Sequence, residues 1–581
     1  MDFIDTPRAE YPRPQFMRGE DSWLCLNGEW EFELDLSDSG EERRLESADK
    51  LASKIVVPFA PESSLSGVGY TDFIPSVWYK RSFTLEKENL AGRVLLHFGA
   101  VDDTATVWIN GTAAGDHRGG YTPFTLDVTK LVKEGENVVV VHAKDDVKDP
   151  LQPSGKQSAK FANHGCFYTR STGIWQTVWL EFVPETYIKT VKIVPDVPNG
   201  KVEIDVVTCG GDSSGILRAV AAFDGDEVSE ATVKVSGHRA SFSLDIKDPV
   251  LWDIGCGNLY DLCLTLGDDM LSCYFGMRSV EVDGYKFRIN GKSVFQRLVL
   301  DQGYFPEGIY TAKSEEDFER DIKLSMSAGF NGARMHMKVF EPGFIAAADR
   351  LGYILWGEFP NWGLDTTKDG AFDRLAPAWR EEVERDISSP AIIGWCPLNE
   401  IWTVENHEFV KNLYLLTKTL DPSRPAIDIS GFMHSEFTDI YDVHDYEQNV
   451  EEFKKHYDPL VTGVGKAFIN YPDFEKPRDE SIPYFVSEFG GTLWIADEEG
   501  KEKAGASWGY GDGPDSREEF YTRFEGLLGA LLGNGRICGF CYTQFTDVMQ
   551  EKNGIFCFDR TPKFDTERIK SVVARKAAIE D

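Results

Sequence analysis

The sequence predicts three domains in series: an N-terminal jelly-roll β-sandwich over residues 1–182, an immunoglobulin-like β-sandwich over 183–281, and a C-terminal (β/α)8 TIM barrel over 282–581. Three features carry this reading. Short β-branched and aromatic runs separated by Gly and Asn turns fill the first two segments. From about 282 onward, apolar runs alternate with segments of helical period, as in parallel strands joined by helical crossovers. That alternation supplies eight strand candidates, the number that closes a barrel.

In the first segment, Val94–Phe98, Ala105–Ile109 and Val138–His142 have strand composition. Ile109-Asn110-Gly111 is a hairpin cue, and Glu134-Gly135-Glu136-Asn137 is read as a second one. The polar run Gln152–Lys160 is expected to be an exposed loop, and with Asp102 and Asp103 it is a candidate for the rim of a binding site. The second segment alternates in Lys201–Val207, Thr232–Val235 and Ser241–Leu244. It lacks the Cys…Trp…Cys framework of antibody domains, so the likeness is architectural.

The barrel strands are placed at Val294–Leu300, Asn331–Met335, Tyr353–Gly357, Ala391–Cys396, Ala426–Ile429, Ile440–Val443, Tyr484–Ser487 and Ile537–Tyr542. Between them, Ser314-Glu-Glu-Asp317 starts a helix in the manner of a capping box, followed by Phe318, Ile322 and Met326 at helical spacing. A second helix runs from His407 to Leu420.

Composition excludes several classes. Ninety-six acidic against sixty-one basic residues give a formal charge of −35, which repels nucleic acid and anionic membranes and leaves neutral substrates unaffected. No apolar run is long enough for a transmembrane helix, and the first residues lack a signal-peptide pattern, so a cytoplasmic location is expected. Ten scattered cysteines suit free thiols in a reducing compartment, and Cys538-Gly-Phe-Cys541 reads as part of a strand rather than a redox or zinc motif. The ten histidines show no ligand spacing, so neither a metal nor a cofactor is expected.

A barrel keeps its active site at the C-terminal ends of its strands. The residues that follow the strand candidates are Asp301, His336, Glu358, Asn399-Glu400, His444 with Tyr446, and Glu488. Trp356, Trp362, Trp402 and Trp494 are interleaved with them. Carboxylates and amides match the hydroxyl edges of a sugar, and aromatic rings match its C–H faces. Cleavage of a glycosidic bond needs one carboxyl group to protonate the leaving oxygen and a second on the other face of the ring, about 5–5.5 Å away in retaining enzymes.

Trp395-Cys-Pro-Leu-Asn-Glu400 resembles the acid/base signature of glycoside hydrolase family 2, and Tyr484-Phe-Val-Ser-Glu-Phe-Gly490 resembles its nucleophile strand. Leu24–Phe32, Val77–Phe83, Val107–Gly111 and Thr172–Gln176 are similar to motifs of its N-terminal sugar-binding-type domain. Asn331–His336 and Ala348–Gly352 resemble its second and third barrel strands, so the resemblance spans nearly the whole chain. It implies that Glu400 is the acid/base, Glu488 the nucleophile and Asn399 the partner of the sugar's 2-hydroxyl. It also implies that Tyr446 or His444 holds the orientation or charge state of Glu488. Asp301, His336, Glu358, Trp402 and Trp494 complete the expected substrate-binding set.

One departure bears on the sugar. The family's glucuronidases carry Asn-x-Lys before Gly-Ile-Phe, where this chain has Glu551 and Asn553 in Gln550–Phe556. A carboxylate there would repel a uronate. The resemblance therefore implies a retaining enzyme for a terminal neutral sugar, β-galactosidase-like, acting on a small glycoside. Arabinosidase, mannosidase and glucuronidase specificities, or a carbohydrate-binding protein without activity, are the alternatives. Members of the family are often homo-oligomers.

Overall fold

The computed structural model describes residues 6–402, 406–474, 479–495 and 507–580. Its N-terminal strands form two facing antiparallel sheets. One has six strands, in the order Ser53–Val57, Gly28–Leu34, Ser76–Leu85, Gly135–Lys144, Thr104–Ile109 and Thr112–Arg118. The other has four: Trp23–Cys25, Val178–Val183, Arg93–Phe98 and Phe124–Asp127. Alternating residues point inward, so Trp30, Tyr79, Phe98, Val107 and Val141 share one core. Asn110 and Gly111 both have positive φ, the geometry of a type I′ hairpin between Thr104–Ile109 and Thr112–Arg118. The cue at Glu134–Asn137 marks a strand entry and not a hairpin, because the preceding strand Phe124–Asp127 pairs in the opposite sheet.

A second sandwich follows. Tyr187–Asp196, Lys201–Cys209 and Arg239–Asp245 face Asp226–Val235, Gly215–Phe223, Tyr260–Leu266 and Asp269–Phe275. Lys201–Cys209 buries Val202, Ile204, Val206 and Thr208 and exposes or half-exposes the residues between them. Arg18 clamps the two sandwiches together. Its guanidinium donates to Glu181 of the first at 3.0 Å, and to both carboxylate oxygens of Asp269 in the second at 3.1 and 3.0 Å.

A short three-stranded sheet (Val280–Asp283, Lys286–Ile289, Lys292–Ser293) leads into the barrel. Seven strands form one parallel curved sheet in the order Ile392–Cys396, Ile354–Glu358, Gly332–Met335, Gln296–Asp301, Ile537–Thr543, Tyr484–Gly490 and Tyr441–Asp445. The expected fifth strand, Ala426–Ile429, is not a regular strand. Residues 426–430 fill the gap between the sheet's two edges with two isolated bridges, Trp395 to Ala426 and Asn399 to Ser430. The cause is local. Trp395 exchanges ladder bonds with Pro425 and Ile427. The next residue in phase is Pro397, which has no N–H to donate. Helices Glu316–Ser327, Pro342–Leu351, Ala371–Asp386, His407–Leu420, Val450–Thr462, Arg517–Leu532 and Thr566–Val573 complete the barrel domain. Among the described residues, no helix is long and apolar enough to cross a membrane.

Replacing Arg18 with Met leaves Asp269 buried without a cation, while Glu181 keeps Arg13 and Tyr11. We expect a loss of about 3–5 kcal/mol, read as an earlier first transition in urea unfolding.

Candidate active site

Glu400 follows the barrel strand Ile392–Cys396, and Glu488 lies within Tyr484–Gly490. A carboxylate oxygen of each, together with a ring nitrogen of His444, falls in a group whose atoms all lie within 4.8 Å of one another. His444 Nδ1 is 2.6 Å from Glu400 Oε1, and its Nε2 is 3.0 Å from Ser430 Oγ and 3.4 Å from Glu488 Oε1. Burial opposes a charge on His444, but the charge of Glu488 and the hydrogen bond and charge of Glu400 outweigh it and raise its pKa. One ring nitrogen thus faces Glu400 and the other faces Ser430 and Glu488.

Arg334 supports this pair from within the barrel. It donates to Glu358 at 2.7 Å, to Glu488 Oε1 at 3.2 Å, to the Ser487 carbonyl at 2.8 Å and to Asn399 Oδ1 at 3.2 Å. Glu358 is wholly buried. Burial pushes its carboxyl up, yet Arg334 and His336 prevail and hold it below the ordinary value. His336 contacts Glu358 through Nδ1 at 2.7 Å, and its burial lowers its own pKa despite that carboxylate. Glu488 obeys the same balance. Burial raises it, but His444, His336, Arg334 and Lys156 bring it down to about 2. Tyr446 donates to the other oxygen, Glu488 Oε2. Burial first, then the charge of Glu488, raises the phenol far above its usual pKa, which keeps it a neutral donor. The Tyr446 ring stacks on Tyr510.

Asn399 is gripped through its backbone. Its N–H donates to Asn361 Oδ1 at 2.8 Å, and its carbonyl accepts from Asn361 and from the Trp362 indole at 3.2 and 3.1 Å. With Oδ1 facing Arg334, the amide Nδ2 is left to donate to a ligand. Glu400 has φ +50°, a left-handed conformation held by its N–H bond to Ser430. Such backbone strain in a non-glycine residue gathers at functional sites. Beside Glu400 runs a cleft lined by Phe167, Trp362, Trp402 and Asn406.

Glu400, Glu488, Asn399, His336, Glu358, His444, Tyr446 and Trp402 thus share one neighbourhood. Two sequence candidates lie elsewhere. Asp301 accepts from Gly303 N–H at 2.8 Å and has Asp321, Arg560 and Lys338 as its charged neighbours. Trp494 packs on Phe564, and its backbone N–H donates to the Lys552 carbonyl at 2.8 Å. Asp102 is buried and accepts from Gln157, and Asp103 is buried against the barrel helix Ala371–Asp386, where it accepts from Arg374. The loop 152–158 is buried and not exposed, because its polar side chains are satisfied by Asp145, Asp102 and Tyr121. The sequence places Arg334 just inside the second strand, a charge in an otherwise apolar run, but gives it no role. Asn361 sits in a loop with no period to single it out, and Lys156 lies within the 152–160 run, which the sequence marks only as exposed rim.

Among the described residues, Glu400, His444 and Glu488 form a group that could hold a metal ion. Two of the three are the carboxyl groups that face each other across the site, and His444 lies between them with one nitrogen toward each.

A family model described as "Glycosyl hydrolases family 2, sugar binding domain" matches residues 24–180, and one described as "Glycosyl hydrolases family 2" matches residues 186–278. A β-galactosidase of Thermoanaerobacter pseudethanolicus is 28% identical over 398 residues, covering 64% of this chain and 51% of that protein. A putative β-glucuronidase of Formosa agariphila is 27% identical over 418 residues, covering 65% and 49%. The chain thus spans about half the length of these two relatives. The solved β-glucuronidase from Ruminococcus gnavus in complex with D-glucuronic acid superposes with a TM-score of 0.78 at 19% identity, over 98% of this chain and all of that one.

The shifts carry opposite pH signatures. Glu488, depressed in the folded state, contributes stability above its ordinary 4.5 that is lost as pH falls toward about 2. His444, raised, contributes stability below 6.5 that is lost as pH rises through its folded pKa. In a histidine-selective NMR titration, His444 should titrate above 6.5 and His336 below it. Glu488→Gln should move His444 downward.

Proposed function

We propose, from the matches to glycosyl hydrolase family 2 models and from the facing carboxylates, that the chain removes a terminal sugar from a glycoside with retention of configuration. The observation that carries the reading is the approach of Glu400 and Glu488 to within 4.8 Å, from two different strands, at the mouth of one barrel. That separation suits a nucleophile and leaves no room for a water between the two groups.

The ionised Glu488 attacks the anomeric carbon. The bond from that carbon to the leaving oxygen breaks as Glu400 gives its proton to that oxygen. This produces a glycosyl ester on Glu488 and a free alcohol. Esterification removes the negative charge of Glu488, and Glu400 then takes a proton from water as the water attacks the same carbon. The ester opens, the sugar leaves and both carboxyl groups return to their starting state. Arg334 and Tyr446 each hold one oxygen of Glu488, so the nucleophile is fixed in rotation. His444, 2.6 Å from Glu400, positions the acid and can reload it. Asn399 Nδ2 meets the 2-hydroxyl. The cleft with Trp362 and Trp402 receives the leaving group.

For the sugar we favour a neutral hexose of β-galactoside type. Glu551 and Asn553 supply a carboxylate and an amide where a uronate would need an ammonium. Glu551 is buried, with its oxygens bonded to Tyr168 and Asn553.

Glu488→Gln and Glu400→Gln should each lower kcat/KM by about 10²–10⁴-fold or more, on the best substrate from a nitrophenyl glycoside panel. A 2-deoxy-2-fluoro glycoside should add its mass to the Glu488 peptide. Near-normal turnover in either variant would end the assignment, and faster hydrolysis of a glucuronide than of every neutral glycoside would overturn the choice of sugar.

A further inference from the structure

The first sandwich sends one charged side chain into the barrel site. The loop 152–158 is pinned at each step. The N–H groups of Ser154 and Gly155 both donate to the Trp362 carbonyl, at 2.7 and 3.0 Å. The Lys156 carbonyl accepts from Tyr168 N–H at 2.8 Å, and Ser158 N–H donates to the Tyr168 carbonyl at 2.9 Å. The Gln157 amide donates to Asp102 and to the Tyr121 hydroxyl, and its oxygen accepts from Ser171 N–H. Gly155 has φ +55°, and a Cβ there would lie 2.8 Å from the Met337 carbonyl, so the turn admits only glycine.

This frame holds Lys156 at 6% exposure with its ammonium 4.5 Å from the centroid of the Trp362 ring. Among the described residues, no carboxylate, carbonyl or hydroxyl lies within hydrogen-bonding reach of its Nζ, so three donors are left with the Trp362 ring as their near neighbour. Burial opposes the charge, but Cys166, Glu551, Glu488 and Glu400 outweigh it and keep the amine protonated. The field of Lys156 in turn reaches Glu488 and His336. Buried polar groups are nearly always bonded, and a charged donor without a partner beside a catalytic pair is a place for a ligand's acceptor.

We propose that Lys156 is a specificity-determining residue that donates to a hydroxyl oxygen of the terminal sugar, on the edge away from the anomeric carbon. This assignment rests on the glycosidase reading above. Lys156 forms no ion pair with Glu400 or Glu488, so it meets a part of the sugar other than the reacting carbon. A hydroxyl fits better than a carboxylate because Glu551 already balances the ammonium, and a second anion would leave the cluster with surplus negative charge. Gln302 Oε1 in the same cluster is buried without a donor. Gln302 is tied to it through Tyr168 at 2.7 Å and Gln544 at 2.5 Å. A hydroxyl oxygen offers the ammonium the lone pair it lacks, without adding charge.

The test uses the full chain, the best neutral nitrophenyl glycoside and its 3-, 4- and 6-deoxy analogues, with Lys156→Met and Lys156→Gln. Wild type should lose about 10- to 100-fold in kcat/KM on one deoxy analogue. Both variants should lose a similar factor on the parent glycoside and nothing further on that analogue. Fluoroglycoside labelling of Glu488 should persist. Variants that match wild type on the parent overturn the proposal, as does an equal fall on the parent and every analogue, which marks structural damage. A wild-type preference for the glucuronide overturns the hydroxyl assignment. Absence of labelling in wild type overturns the glycosidase reading itself, whatever the variants do.

Discussion

The site depends on one buried cation. Arg334 lies on a barrel strand and bonds at once to Glu358, Glu488, Asn399 and the Ser487 carbonyl. Two carboxylates this deep would otherwise be forced toward protonation, since burial raises both. The guanidinium leads in reversing that balance at Glu358, and at Glu488 it does so together with His444 and His336, which keeps the proposed nucleophile ionised. It also sets geometry. A planar fork of donors fixes the carboxylate of Glu488 and turns the Asn399 amide so that its N–H faces the sugar. Lysine could supply the charge but not four directed contacts.

The second constraint is that the barrel does not build its site alone. The loop 152–158 crosses from the first sandwich and bonds to the Trp362 carbonyl, while Trp362 donates its indole N–H to Asn399. A displacement of the sandwich would therefore move the residue next to the acid. Arg18 guards against this at a distance, tying both sandwiches through a carboxylate in each. The N-terminal domains thus belong to the active site in a mechanical sense as well as lining it.

The readable and unreadable parts of the sequence divide along the same lines. Glu400 and Glu488 were legible because each follows an apolar run that must be a barrel strand, and strand ends point into the mouth. The strands themselves were legible from alternation and period, except where Pro397 breaks the ladder opposite residues 426–430. Loop 152–158 was misread because its residues are polar, and polarity normally means exposure. Here the acceptors are Asp145 and Asp102, remote in sequence, so burial could not be inferred from the run itself. Asp301 and Trp494 also come after barrel strands. Position after a strand places a residue near the mouth, but Gly303 and Phe564 decide where its side chain turns.

The irregular fifth strand has a chemical consequence. Residues 426–430 give up most ladder bonds, and their side chains take over the pairing. Asp428 accepts from His434, whose other nitrogen contacts the Asp442 carbonyl. Ser430 donates to Asp442 and stands 3.0 Å from His444 Nε2. Gly431, at φ +64°, passes so close that a Cβ would lie 2.5 Å from the His444 ring. A regular strand would present alternating side chains at that point and push the imidazole out. The broken strand instead leaves a slot in which His444 is held edge-on, one nitrogen toward Glu400 and the other toward Ser430 and Glu488. The irregularity that hides the fifth strand from a sequence reading is thus what lets one imidazolium touch both carboxylates.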